Sequence, residues 1–157
     1  DDVFILFSER ESKFPVKRDR IELGFRDRSE VIASLREIVK EFKLKKEKIV
    51  LPLLLDDVAA LLLRAIFTGS PDFLVISGRL HVSLKRLENF VVPFAEIPLE
   101  ELMALKGEEY REFGGSSDPY IRAVEELERD SPGIRFNLLR ISERAEFLRA
   151  MSVASRG

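Results

Sequence analysis

Apolar positions along the 157-residue chain change their period several times, and each change marks an expected element. Val3 to Phe7 is a short apolar run, expected as a buried strand. Arg20 to Arg26 alternates, with Ile21, Leu23 and Phe25 on one side, as a half-buried strand does. After Ser29, the residues Val31, Ile32, Leu35, Ile38, Val39 and Phe42 recur at three- and four-residue steps and predict a helix. Asp27 or Ser29 can cap its start, and Lys43, Lys45, Lys46 and Lys48 suit its C-terminal end. Ile49 to Leu55 reads as a strand buried on both faces, with Pro52 placing it near an edge or bulge. Asp56 or Asp57 then caps a helix through Phe67 that is apolar nearly all round and stops at Gly69. Asp72 to Ile76 is another apolar strand, so residues 49–76 predict a right-handed βαβ unit.

Ser77-Gly78 makes a two-residue turn into Arg79 to Lys85, which alternates strictly, and a β-hairpin over about 72–85 follows. In that register Ile76 pairs with Arg79 and Asp72 with Ser83, leaving Phe73, Val75, Leu80, Val82 and Leu84 on the core face. Glu88 to Ala95 continues as a strand broken by Pro93, and Pro98 opens a short helix that Gly107 closes. Glu108 to Ser117 is a polar loop. Asp118-Pro119 starts a helix carrying Ile121, Val124 and Leu127, ended by Ser131-Pro132-Gly133. Ile134 to Ile141 is expected as a last strand, with Ser142 capping a closing helix that turns Ala145, Leu148 and Met151 inward. The sum is an α+β fold over residues 1–157 as a single mixed α/β domain. Its mixed sheet holds the βαβ unit and the hairpin, with four to five helices packed on it.

Composition narrows the chemistry. The absence of cysteine excludes disulfides, thiolate metal sites and cysteine nucleophiles, and a single histidine excludes His-rich metal sites. No apolar run reaches the roughly 18 residues of a membrane span, and Asp1-Asp2-Val3-Phe4 lacks the basic region of a secretory signal, so a cytoplasmic protein with no membrane partner is expected. Charged residues form 34 % of the chain, against about 25 % in an average domain. With tryptophan and cysteine absent, this is a thermophile-like balance. The net charge of −2 is unevenly spread: residues 1–86 hold 17 basic and 14 acidic side chains, residues 87–157 hold 9 and 14. Such a polarity fits a molecule that docks through one face.

Pro71-Asp72-Phe73-Leu74-Val75, followed by Ser83-Leu84-Lys85, resembles the motif of the PD-(D/E)xK nucleases. The resemblance implies a divalent cation, Mg²⁺ or Mn²⁺, on Asp72, with Lys85 orienting or activating the attacking water. Ser83 stands where that family has its second carboxylate, so an acid from elsewhere, such as Glu88 or Glu96, has to complete the set. Asp56 and Asp57, at the end of a buried strand, read chiefly as helix caps. His81 reads as a cross-strand residue, and Gly114-Gly115-Ser116-Ser117-Asp118 as a capped loop rather than an anion site.

Lys17, Arg18, Arg20, Arg26 and Arg28, with Phe14 and Phe25 among them, mix basic and aromatic residues as nucleic-acid surfaces do. From Pro98 to Asp130 there are ten acidic and four basic residues, an exposed face suited to a basic partner. The first expectation is a non-catalytic interaction or structural module without a cofactor, with another protein as partner. Its setting is a nucleic-acid-processing complex of a thermophile. The alternative is a divergent metal-dependent nuclease using Asp72, Ser83 and Lys85. The alternative requires that purified protein cleave DNA or RNA with Mg²⁺ or Mn²⁺ and that Asp72→Ala abolish cleavage; an inactive wild-type protein rules it out.

Overall fold

The computed structural model describes residues 3–5, 48–82, 85–106 and 118–144. Five strands form one mixed sheet: β1 (Val3–Ile5), β2 (Lys48–Val50), β3 (Phe73–Ile76), β4 (Arg79–Val82) and β5 (Lys85–Val91), in the order β1-β2-β5-β4-β3. The pairs β1–β2 and β2–β5 are parallel, whereas β5–β4 and β4–β3 are antiparallel. Four helices accompany the sheet among the described residues: α1 (Leu55–Thr68), α2 (Leu99–Lys106), α3 (Pro119–Asp130) and α4 (Ile134–Glu143).

The hairpin follows from its turn. Ser77 and Gly78 both take positive φ, 49° and 65°, the backbone of a two-residue turn whose twist matches that of the strands. Ile76 therefore pairs with Arg79, and the register runs on through Val75–Leu80 and Leu74–His81 to Phe73–Val82. Phe73, Val75 and Leu80 are buried and Val82 is partly buried, as the alternation requires. Leu74, on the other face, is buried as well, because α1 and α4 both pack against this edge strand. Ser142 completes the cover: its hydroxyl shares one proton between Leu139 O at 2.6 Å and Val75 O at 3.2 Å, next to a strand edge that would otherwise be open to pairing.

Helix α1 is the hub. Leu54 sits at its N-cap in extended backbone, and the Asp57 side chain reaches back to accept from the Leu54 N–H at 2.8 Å, one half of a capping box. At the other end Gly69 takes the left-handed conformation, φ 64°, that closes a helix. Leu55, Val58, Ala59, Leu62 and most of their neighbours are buried on every side of it, since α1 packs against β3, α3 and α4 together. Asp118 caps α3 by accepting from the Tyr120 and Ile121 amides, with Pro119 in the first turn.

Several expectations change. The apolar run 49–55 is not one strand: β2 ends at Val50, Pro52 is exposed, and α1 begins at Leu55. Helix α1 does lie between β2 and β3 in sequence, but β5 and β4 separate those strands in the sheet, so they are not a paired βαβ unit. Strand β4 ends at Val82 and β5 already begins at Lys85, upstream of the expected start at Glu88. Residues 134–141 are helix α4, not a strand, and Ser142 lies in its last turn instead of capping a new helix. Leu127 is half-exposed, not a core residue. The strand at 20–26, the helix after Ser29, the loop at 108–117 and the inward set Ala145, Leu148 and Met151 lie outside the described residues.

Phe90 is fully buried where β5 meets the core. Phe90→Ala is expected to cost about 3–5 kcal/mol, and Ser142→Ala about 1 kcal/mol through its lost hydrogen bond, both read from urea denaturation midpoints. Equal costs at the two positions would contradict this picture of the core and its covered edge.

Candidate functional site

The loops that leave the C-terminal ends of β2 and β5 are stitched together. Leu51 N–H donates to Val91 O at 2.8 Å and Leu55 N–H to Ile97 O at 3.0 Å. This brings the first turn of α1 beside the start of α2. Asp56, buried on α1, accepts from the Leu99 N–H at 2.9 Å and so caps α2 from another element.

The same carboxylate meets Arg135 from the first turn of α4. Arg135 Nη1 donates to Asp56 Oδ1 at 2.8 Å and to Glu100 Oε2 at 2.7 Å, while Nη2 donates to Glu100 Oε1. The planar guanidinium is thus forked onto Glu100, the bidentate arrangement that arginine makes best. Its Nε lies 3.2 Å from Glu128 Oε2. Glu128, near the end of α3, also accepts from the Gly133 N–H at 2.7 Å and the Arg135 N–H at 3.1 Å. A carboxylate on one helix therefore closes the N-terminus of the next, where negative charge is favoured. One arginine side chain, 12 % exposed, joins α1, α2, α3 and α4.

The charges respond to each other. The Arg135 fork holds the Glu100 carboxyl below its ordinary value, against the cost of partial burial. Burial opposes the Glu128 charge, but the Gly133 and Arg135 amides and the guanidinium outweigh it and leave that carboxyl lowered as well. Arg135 is held above the usual guanidinium range, first by Glu100 and then by Glu128 and Asp56. Three carboxylates converge here around a guanidinium, which takes the place a cation would fill. The arrangement ties helices together and leaves no side chain poised as an acid, base or nucleophile.

A second feature grows from the same helix. Asp56, Ala60, Leu63 and Phe67 follow one another at three- and four-residue steps and share a stripe of α1. The first is bound to Arg135; the last leaves the core at the far end. Phe67 is 74 % exposed and the adjacent Ile66 45 %. Phe67 lies against Tyr120 at the start of α3, with ring centroids 6.5 Å apart. Leu127, two turns further along α3 on the side of Tyr120, is also half-exposed.

Of the residues singled out in the sequence, Asp72 is half-buried just before β3 and has an interaction partner. Lys85 begins β5, paired with Val82, with its side chain outside the described part, and Ser83 lies outside it altogether. Glu96 is near Ser77 and Gly78, the far end of β3 from Asp72, a strand length of about 16 Å away, so it does not join Asp72. His81 lies in β4 between Leu74 and Arg86, the cross-strand position expected. Lys17, Arg18, Arg20, Arg26 and Arg28 lie outside the described residues. Asp56 and Asp57 do cap helices, though Asp56 caps α2. The Arg135 cluster was not foreseen. Its members are 79, 35 and 7 residues apart, and Arg135 fell in a segment expected as strand.

No helix among the described residues is long and apolar enough to cross a membrane. Comparison with protein-family models, curated proteins and solved structures gave no match.

Because the folded values of Glu100 and Glu128 lie below the ordinary 4.5, the stability they lend is present above that pH and is lost as pH falls through the lowered values. Unfolding free energy is expected to fall between about pH 5 and pH 3. Arg135→Met should cost about 3–5 kcal/mol at pH 7, since buried Asp56 loses its counter-charge, and should flatten that acid limb. An unchanged pH profile in the variant would contradict the assignment.

Proposed function

We propose that residues 1–157 act as one domain, a non-catalytic interaction module whose partner is another protein. The observation that carries this reading is the emergence of Ile66 and Phe67 from α1. That helix is buried from Leu55 to Leu63, yet it ends in two large exposed apolar side chains, flanked by exposed Arg64 and Thr68 and extended by Tyr120 and Leu127. An aromatic anchor of this kind is typical of the energetic centre of an interface. Glu126 and Asp130, exposed on α3 beside Leu127, give that side of the patch an acidic edge and match a partner that presents basic groups there. The Arg135 cluster supports the non-catalytic part of the reading, because its charged groups are spent on one another.

The setting we propose is a nucleic-acid-processing complex in a heat-adapted cell. The basic and aromatic residues from Lys17 to Arg28 and the charged fraction of 34 % support it. The metal-dependent nuclease is the second proposal. It is supported by the resemblance of the sequence around Asp72 to that motif.

The experiment compares wild-type protein with Ile66→Asp/Phe67→Asp, both returned to extract of the source cell and analysed by quantitative mass spectrometry. One or more proteins should be enriched by the wild type and lowered at least about tenfold by the variant, the loss of about 1.4 kcal/mol or more of binding energy. The thermal midpoint should stay within a few degrees, since both side chains are already exposed. Equal recovery by the two proteins would overturn the reading.

A further inference from the structure

A cleft of about 550 Å³ opens where the C-terminal ends of β3 and β5 meet α4, within the size range of small-molecule sites. Strands β2, β5 and β3 point the same way, from their pairing senses, and the cleft lies outside their carboxyl ends, where sheets of this kind place ligands. Its making follows from the hairpin. The Val92 N–H donates to Gly78 O at 2.9 Å, and a Cβ at Gly78 would stand 3.6 Å from Val92 O, so the turn is drawn down onto the segment after β5. Glu143, in the last turn of α4, accepts from the Ser77 N–H at 3.2 Å and fixes the other wall.

The lining separates by chemistry. Val92, Ala95 and Leu139 are buried and Ile97 partly so, giving an apolar floor. Arg79, Glu96 and Glu143 supply the charges. Glu143 Oε1 is engaged by Ser77, which leaves Oε2 for another donor. Arg79 is half-buried and already has an interaction, but a guanidinium carries five N–H donors and can hold more than one acceptor. Two carboxylates and one guanidinium around an apolar floor suit a molecule bearing an ammonium group, a carboxylate and an apolar body.

We propose that this cleft binds a zwitterionic amino-acid head with an apolar side chain. The ammonium group meets Glu96 and Glu143, the carboxylate meets Arg79, and the side chain lies on Val92, Ala95, Ile97 and Leu139. The site is independent of the protein-docking surface, which lies at the end of α1.

The test titrates the ¹⁵N-labelled 157-residue chain with three related probes: L-leucine, 3-methylbutylamine, which lacks its carboxylate, and 4-methylpentanoate, which lacks its amine. L-leucine should shift the amide resonances of Ser77, Gly78, Val92 and Ile97 with a Kd of about 1 mM or tighter. The amine should bind more weakly and 4-methylpentanoate more weakly still. Glu143→Gln keeps an acceptor for the Ser77 amide while removing the charge, and exposed Glu96→Gln disturbs no packing. Each should weaken L-leucine about tenfold, the loss of one charge-assisted hydrogen bond. No shift with any probe, shifts centred elsewhere, 4-methylpentanoate binding as well as L-leucine, or unchanged affinity in both variants would each overturn the proposal.

Discussion

One guanidinium ties all four described helices together. Arg135 holds Asp56 at the start of α1, Glu100 at the start of α2 and Glu128 near the end of α3, while itself standing in the first turn of α4. Three of these positions are helix N-termini, where carboxylates also meet unsatisfied backbone amides. The guanidinium is what lets three negative charges gather there. Without it, buried Asp56 would lose its counter-charge, and its hold on the Leu99 amide would weaken with it. Breaking a buried pair by removing one partner costs more than the pair contributes over an apolar substitute, so the cluster fixes arrangement more than it adds stability.

That arrangement has consequences at a distance. Along α4 the residues run from Arg135 at the cluster to Leu139 and Glu143 at the cleft. Along α1 the stripe runs from Asp56 at the cluster to Phe67 at the surface. The angle at which α4 leaves the cluster sets how Glu143 meets the hairpin turn, and the contact of α1 with α3 sets how Phe67 meets Tyr120. One polar node thereby orients a concave polar-apolar site and a convex apolar one. The two together support the proposed reading of a protein that recognises a partner.

Local chemistry made some of this legible in the sequence. Ser77-Gly78 allowed one turn type, and that turn fixed the register of four pairs. Gly69 and Asp118-Pro119 marked helix ends because left-handed backbone and capping carboxylates act within a few residues. Where two periods coexist, the reading failed. Ile134, Phe136 and Leu138 alternate as a strand would, but Leu138, Leu139, Ile141 and Ser142 follow three- and four-residue steps, and Gly133 before them can take the positive φ of 88° that starts α4. The run from Ile49 to Leu55 is apolar throughout, so periodicity could not separate a buried strand from a buried helix start. Leu127 has the spacing of a core residue but stands half-exposed. The Arg135 cluster was beyond reach for a different reason: its geometry is made by tertiary packing, and no spacing in the sequence announces it. The resemblance around Asp72 rests on local spacing, and Glu96 sits at the wrong end of β3 to complete it.

Native-state hydrogen exchange tests the central claim most directly, by comparing wild-type protein with Arg135→Met residue by residue. If Arg135 is what joins the helices, the variant should lose protection at the Leu99 amide, in the first turn of α2 and at Gly133 and Arg135 or its replacement, while Leu74 and His81 in the hairpin change least. Protection lost evenly across hairpin and helices, or kept at Leu99, would show that the helices are held by apolar packing alone and that the cluster only decorates their ends.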